Sequence, residues 1–186
     1  MMSYYFPMRL FFSVTILTLF AGISLPVLAI SSMQNSLSSS TVVNIGKIDL
    51  VVVTKSTSTM ALMRDGKVLR RYHIALGDRP LGHKLQEGDQ RTPEGRYTLD
   101  YKKSDSAYYR AIHISYPNEE DQLRARALGI QPGGQIMIHG QNPRSSLSAA
   151  EAQQYNWTDG CIAITNPQMD ELWRAIDEGT PIEILP

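Results

Sequence analysis

The sequence predicts a mainly β domain, a sandwich or partial barrel, behind an N-terminal targeting segment. Three observations carry this. Short β-branched runs bounded by Gly, Pro, Asn and Asp recur along the chain. Helical patterning is confined to 119–128, a weak stretch at 145–154 and a last segment opening at Asn166. Hydrophobic residues make up 42% of the 186-residue chain and charged residues 19%, enough for a packed core. The 18 basic and 18 acidic residues cancel, so no basic face is available for nucleic acid, and no nucleic-acid partner is expected.

The elements follow in order. Ile48-Asp49-Leu50-Val51-Val52-Val53 reads as a strand buried on both faces, and Thr59–Met63 as a second. Asp65-Gly66 supplies a hairpin turn into a third strand, Val68–Leu76, so the domain starts as a meander. Gly77–Glu94, with Pro80, Gly82, Gly88 and Pro93, is a long connection of the kind that carries function. Gly95–Tyr101 and Ala111–Tyr116 resume strand character. Pro117-Asn118 opens a helix, Glu119–Leu128, which Gly129 caps. After the Pro132-Gly133-Gly134 turn, Gln135–Gly140 is a short apolar strand ending in His139-Gly140. Ser145–Gln154 is weakly helical, with Ser146 or Ser148 as N-cap, and Cys161–Ile164 is a strand. Asn166-Pro167 starts the last helix, with Leu172, Trp173 and Ile176 as its apolar face and Gly179 at its end. Pro181–Leu185 closes the domain.

Residues 1–29 read as a signal peptide. Arg9 precedes an apolar run from Leu10 to Leu25, and Val27 and Ala29 fit the small positions before a cleavage site, giving a mature chain from Ile30. The run also approaches spanning length, so an uncleaved anchor is the alternative and the only route to a membrane. Either form places the domain in the periplasm or cell envelope. Residues 30–46, rich in Ser, Thr, Asn and Gln, read as a flexible linker, leaving 47–186 as the domain.

Location gives the cysteine count its meaning. Exported proteins use Cys mainly in pairs, and this chain has 1 Cys, Cys161. It is either a small buried apolar residue or a reactive thiol. Its setting, Trp157-Thr158-Asp159-Gly160-Cys161, is a turn entering a strand. Gly160 permits close backbone approach, and the N–H groups of Gly160 and Cys161 are candidates for an oxyanion hole. A nucleophilic thiol needs a base. His139, at the end of an apolar strand, is either that base or a satisfied core histidine. Gly88–Gly95, which includes Arg91, is either a binding loop or ordinary turn chemistry, and Tyr116 either lines a cleft or packs inside. His83 in the long loop is expected to handle substrate. Four histidines without close spacing and no second Cys make no metal motif.

Together, His139-Gly140, then Thr158, Gly160 and Cys161, with Thr92-Pro93-Glu94-Gly95 upstream, resemble the L,D-transpeptidase catalytic domain, the YkuD-like family, from about Ile48 to Ile184. The resemblance implies a β-sandwich with a few peripheral helices. It implies that Cys161 attacks the meso-diaminopimelate carbonyl of a peptidoglycan stem peptide, that His139 is the base, that the Gly140 carbonyl orients the imidazole, and that no cofactor takes part. The acyl group then passes to an amine, as in wall cross-linking, or to water. Two positions depart from the family pattern. Asp159 stands where it has a second His, and Ala163 where it has an Arg. A carboxylate beside a thiol raises its pKa, and a substrate carboxylate would need another anchor, with Arg91, Arg96 and Arg144 as candidates. The sequence is similar to a divergent, YafK-like branch, which includes an amidase that detaches a lipoprotein from the wall. A hydrolase of the same bonds, with a wall-attached lipoprotein as partner, is therefore the alternative to transfer. A catalytically silent wall-binding domain is the alternative of another class.

Overall fold

The computed structural model describes residues 44–186. The expected signal peptide and most of the expected linker lie outside the described residues. The linker's last residues do not behave as one: Ile45 is buried in the core and its carbonyl accepts from Arg64. The packed domain therefore begins before residue 47.

Eight strands form one sheet: β1 (Leu50–Thr54), β2 (Thr59–Arg64), β3 (Lys67–His73), β4 (Gly95–Ser106), β5 (Tyr109–Ile114), β6 (Met137–His139), β7 (Ile162–Ala163) and β8 (Thr180–Leu185). The spatial order is β3-β2-β1-β8-β4-β5-β6-β7. The β1–β8 and β6–β7 pairs are parallel and the others antiparallel. The fold is mainly β as expected, and its sandwich character comes from one continuous sheet that curls on itself. The chain just after β3 reaches the far edge, where Ala75 and Ala163 exchange two backbone hydrogen bonds of 2.9 and 2.8 Å.

Alternation sets the core. In β1, Val51 and Val53 are fully buried while Leu50 and Val52 are half-buried. The expectation of a strand buried on both faces is thus corrected, because β1 has a packed layer on one side only. Ile112, Ile114, Ile138, Ile162, Ile182 and Ile184 point into the same interior. The third helix, α3 (Asn166–Ala175), covers it with Met169, Leu172 and Ala175, while Trp173 is only partly buried. Two polar clamps pin α3 across the curl. Glu171 accepts from Arg70 Nε at 2.9 Å and Tyr72 Oη at 2.8 Å, and Asp170 accepts from Arg110 Nη1 at 2.7 Å. Helix α3 ends four residues before Gly179, which instead serves the turn into β8 and donates to Leu99 O.

The first helix, α1 (Glu119–Leu128), forms where its capping signals predict. Asn118 Oδ1 accepts from Asp121 N, Asp121 accepts in return from Asn118 N, and Gly129 closes the end in the left-handed conformation. It has little apolar face, since Leu123 and Leu128 are exposed. Its anchor is the buried Asp121, which accepts from Tyr97 Oη at 2.9 Å and His83 Nε2 at 2.9 Å. Burial works to raise the Asp121 pKa, and these bonds outweigh it and hold it below the ordinary value. Helix α2 is the short Ala149–Ala152 with Ser148 as N-cap.

The long loop 77–94 has no strand or helix, yet it is held from inside by lysines. Lys55, in a 3-10 turn after β1, is 6% exposed and donates to Gly82 O, Thr92 O and Glu94 Oε1 at 2.7–2.8 Å. Lys84, 3% exposed, donates to Asp89 Oδ1 at 2.8 Å, and Asp89 also collects the N–H groups of Leu85, Gln86 and Arg91. Removing a buried partner leaves the others desolvated and unpaired, which costs about 3–5 kcal/mol. Lys55→Ala is expected to lose stability of that order in urea unfolding and to expose the loop's Arg79, Lys84 and Arg91 to trypsin. Native-like stability in that variant would show that the lysine does not hold the loop.

Candidate active site

The site is built on the short parallel ladder β6–β7. Its register pairs Ile138 with Ile162 and His139 with Ala163. Ile138 and Ile162 therefore point into the core, and His139 and Cys161 share the opposite face. Cys161 sits one residue before β7, two positions from the His139 level. Diagonal neighbours of this kind have α-carbons about 7–8 Å apart, within reach of a thiol and an imidazole.

Each side chain is set by its own contacts. His139 Nδ1 donates to the Gly140 carbonyl at 2.6 Å, which leaves Nε2 as the unprotonated, basic nitrogen. The ring is 4% exposed, covered by Tyr108 at 4.7 Å and Trp157 at 5.6 Å between centroids. Burial lowers its pKa, opposed by the Gly140 bond. Tyr108 reaches it from the tip of the β4–β5 hairpin, where Tyr109 adopts φ +74° and the strand register shifts. Gly140 is required by space. A Cβ there would stand 2.5 Å from Asn166 Oδ1 and 2.9 Å from Tyr108 O. Asn166 Oδ1 also accepts from Gln141 N at 2.9 Å, so the first residue of α3 fixes the peptide that orients the histidine.

Cys161 is half-buried, and its thiol donates to Gln135 O at 3.6 Å. Gln135 holds that carbonyl with φ +56°, a left-handed conformation uncommon for a residue with a side chain. Burial raises the thiol pKa and Asp159 adds to the rise. The Met137 N–H and the Lys84 ammonium oppose it. Both shifts favour the neutral thiol and the neutral imidazole over the ion pair.

The turn before Cys161 is closely packed by other backbone. Gly160 has φ +128°, and a Cβ there would meet Arg91 O at 2.6 Å. A Cβ on Gly77 would meet Gln90 O at 2.2 Å and Gly160 Cα at 3.1 Å. Three backbones thus cross at two glycines. Thr158, 5% exposed, ties the turn: its Oγ1 donates to Cys161 O at 2.7 Å and accepts from Gly160 N at 3.2 Å.

Several sequence expectations are corrected here. The Gly160 N–H is occupied by Thr158, so Gly160 shapes the turn and Cys161 N–H is left as the oxyanion candidate. Thr158, which its place in the motif offered as a substrate contact, is internal scaffolding, with its one hydroxyl proton given to Cys161 O. Tyr116 is 3% exposed, with its hydroxyl on Pro132 O and its ring against Tyr97 and His83, so it is core. His83 spends both ring nitrogens inside the protein, accepting from Glu94 N at 3.0 Å and donating to Asp121, so it clamps the loop to α1. Asp159 is exposed beside the nucleophile. Arg91 lines a cleft of about 540 Å³ with Arg79, Gln86 and Asp89, and its carbonyl abuts Gly160. Arg144 is exposed on the loop after His139, between two residues that line another cavity. Tyr108, Asn166, Lys84 and the Met137 N–H were not legible as site groups. They come from a hairpin tip, a helix start, a loop and a strand, and no motif joins them.

Two outcomes are expected. Thr158→Val should unbind Gly160 N–H and Cys161 O, costing about 1–3 kcal/mol of stability and slowing alkylation of Cys161, with Thr158→Ser restoring both. Unaltered alkylation in Thr158→Val would separate the hydroxyl from the nucleophile. The lowered His139 pKa gives stability a direction with pH. The unfolded imidazole, near its usual value of about 6.5, takes up a proton before the folded one. This contribution is whole above that pH and is lost as pH falls toward the folded value. Thermal unfolding of His139→Gln should lose part of the wild-type decline between neutral and acid pH.

Comparison with known proteins agrees with this geometry. The L,D-transpeptidase catalytic domain (YkuD) family matches residues 48–184. YafK of Escherichia coli (strain K12) is 35% identical over 112 residues, which are 59% of this chain and 38% of YafK. YqjB of Bacillus subtilis (strain 168) is 29% identical over 138 residues, 72% of this chain and 69% of YqjB. Both are named for the same family. Among solved structures, Pgp2 from Campylobacter jejuni, described as a helical cell shape determining protein, superposes with TM-score 0.57 and 27% identity over 75% of this chain and 48% of that one. An L,D-transpeptidase of Enterococcus faecium shares the fold at TM-score 0.50 and 16% identity, over 75% of this chain and 50% of that one. This chain's match thus spans well under half of YafK and about half of Pgp2.

Proposed function

The chain belongs to the L,D-transpeptidase catalytic domain family, and on that premise we propose that it is an exported cysteine acyl-transferase acting on meso-diaminopimelate-containing peptidoglycan stem peptides. The observation that carries this is the shared face of Cys161 and His139, with the imidazole held on Gly140 O so that Nε2 is left as the basic nitrogen.

Burial, which favours the neutral form of each group, suggests the order of events. Cys161 Sγ leaves Gln135 O and gives its proton to His139 Nε2 as it attacks the diaminopimelate carbonyl carbon. The oxyanion forms beside Cys161 N–H. The tetrahedral species collapses, the C–N bond to the terminal residue breaks, and the imidazolium protonates the departing amine. The resulting thioester is attacked by an acceptor amine, whose proton passes to His139 and returns to Sγ, leaving a new amide. Attack by water would leave a free carboxylate, which is hydrolysis and the second reading. Arg91, on the cleft beside Gly160, and Arg144 are the candidates for the substrate carboxylates now that Ala163 supplies no cation. The description of Pgp2 as cell-shape determining supports wall remodelling as the setting.

Incubating the protein with disaccharide-tetrapeptide should give an enzyme adduct of disaccharide-tripeptide mass, then cross-linked or amine-exchanged products. Cys161→Ala should abolish both, and His139→Ala should slow turnover by about 10²–10⁴. Released disaccharide-tripeptide with no new amide, even with acceptor in excess, would replace transfer by hydrolysis. An active Cys161→Ala protein would remove the mechanism.

A further inference from the structure

We infer that a second cavity, on the His139 side of the site, binds an uncharged acetamido sugar of the glycan strand that bears the stem peptide. The inference rests on the wall-polymer reading above and adds a carbohydrate subsite to it. The cavity holds about 260 Å³ and lies between the loop after His139 and the segment around α2. That volume suits one sugar ring better than an oligopeptide.

Its chemistry is unlike that of the other cleft. The cleft beside Gly160 carries Arg79, Arg91 and Asp89, which suits the charged ends of a peptide. The second cavity has no formally charged residue in its wall. Two aromatic rings, Tyr155 and Trp157, stand with the amides of Gln141, Asn142 and Asn166 and with Leu147. Tyr155 is 62% and Leu147 49% exposed, so ring and alkyl surface are available to a ligand. The amides retain unused valences. Asn166 Oδ1 serves Gln141 N, Asn142 Oδ1 serves Arg144 N, and Gln141 Nε2 donates to Ala149 O. Asn166 Nδ2, Asn142 Nδ2 and Gln141 Oε1 have no hydrogen bond among the described residues. Aromatic faces, neutral donors and acceptors, and an apolar patch for a methyl group together fit a ring of hydroxyls bearing an acetamido group.

The cavity is also joined to the catalytic histidine. Trp157 packs on the His139 ring, and Asn166 and Gln141 fix the peptide whose carbonyl accepts from His139. A sugar seated here would register the substrate from the flank whose peptide orients His139.

The test uses the full chain carrying Cys161→Ala, which removes turnover, and Trp173→Phe, which leaves Trp157 as the sole indole, since the chain has 2 Trp. The tetrasaccharide of N-acetylglucosamine should change Trp157 fluorescence saturably. Tyr155→Ala and Asn142→Ala should each weaken that binding about tenfold. Both positions are at the cavity rim, and near-UV circular dichroism checks that the variants are folded. No saturable change in the folded protein, or an equal response to the matching glucose tetrasaccharide, would overturn the inference. Sugar binding without stem-peptide turnover in the wild-type protein would leave the subsite and remove the acyl-transfer reading. Turnover without sugar binding would do the reverse.

Discussion

The pair of backbone hydrogen bonds between Ala75 and Ala163 is the constraint on which the rest of the structure depends. Without it the sheet would be an open ribbon with β7 as a two-residue edge strand. With it, β7 lies between β6 and the chain leaving β3, held on both sides. The same run continues the contact, with Thr158 N on Leu76 O and Asp78 N on Thr158 O. The nucleophile's turn is thus fixed from one flank and the histidine strand from the other. Both alanines are fully buried. At 163 the chain thus carries a small neutral side chain, packed where the sheet closes.

The closure also decides why the long loop is ordered. Bringing Gly77 against Gly160 carries the backbone of Gln90 and Arg91 into the same crossing, at distances only glycine allows. The loop that reaches there must bury polar backbone, and buried carbonyls need donors. Lys55 and Lys84 supply them from inside, each with a carboxylate to balance its charge. Two ammonium groups that composition would place on the surface are instead structural. His83 and Asp121 do similar work between this loop and α1.

Electrostatically the site favours neutrality. Burial pushes the thiol pKa up and the imidazole pKa down, and Asp159 reinforces the first. The Met137 N–H and the Lys84 ammonium oppose the rise of the thiol without overcoming it. Both shifts thus work against a standing ion pair, which fits the proposed proton transfer from thiol to imidazole during attack.

Sequence patterns by themselves determined the strands and the ends of α1, because alternation and caps are local. They determined Cys161 as the residue to explain, because it is the only thiol, and paired it with His139-Gly140 through a motif whose two halves stand 22 positions apart. Tertiary structure alone decided which neighbours serve that pair. Thr158 and Gly160 sit within the motif, yet which valences they spend depends on Leu76, Asp78 and Arg91 arriving from a loop far away in the chain. His83 and Tyr116 look available in one dimension and are consumed in three. Tyr108 and Asn166 had no signal, since a hairpin tip and a helix start become part of a site only when sheet closure brings them to His139. Local preference is written residue by residue, whereas the partner of a buried polar group is set by packing across the whole domain.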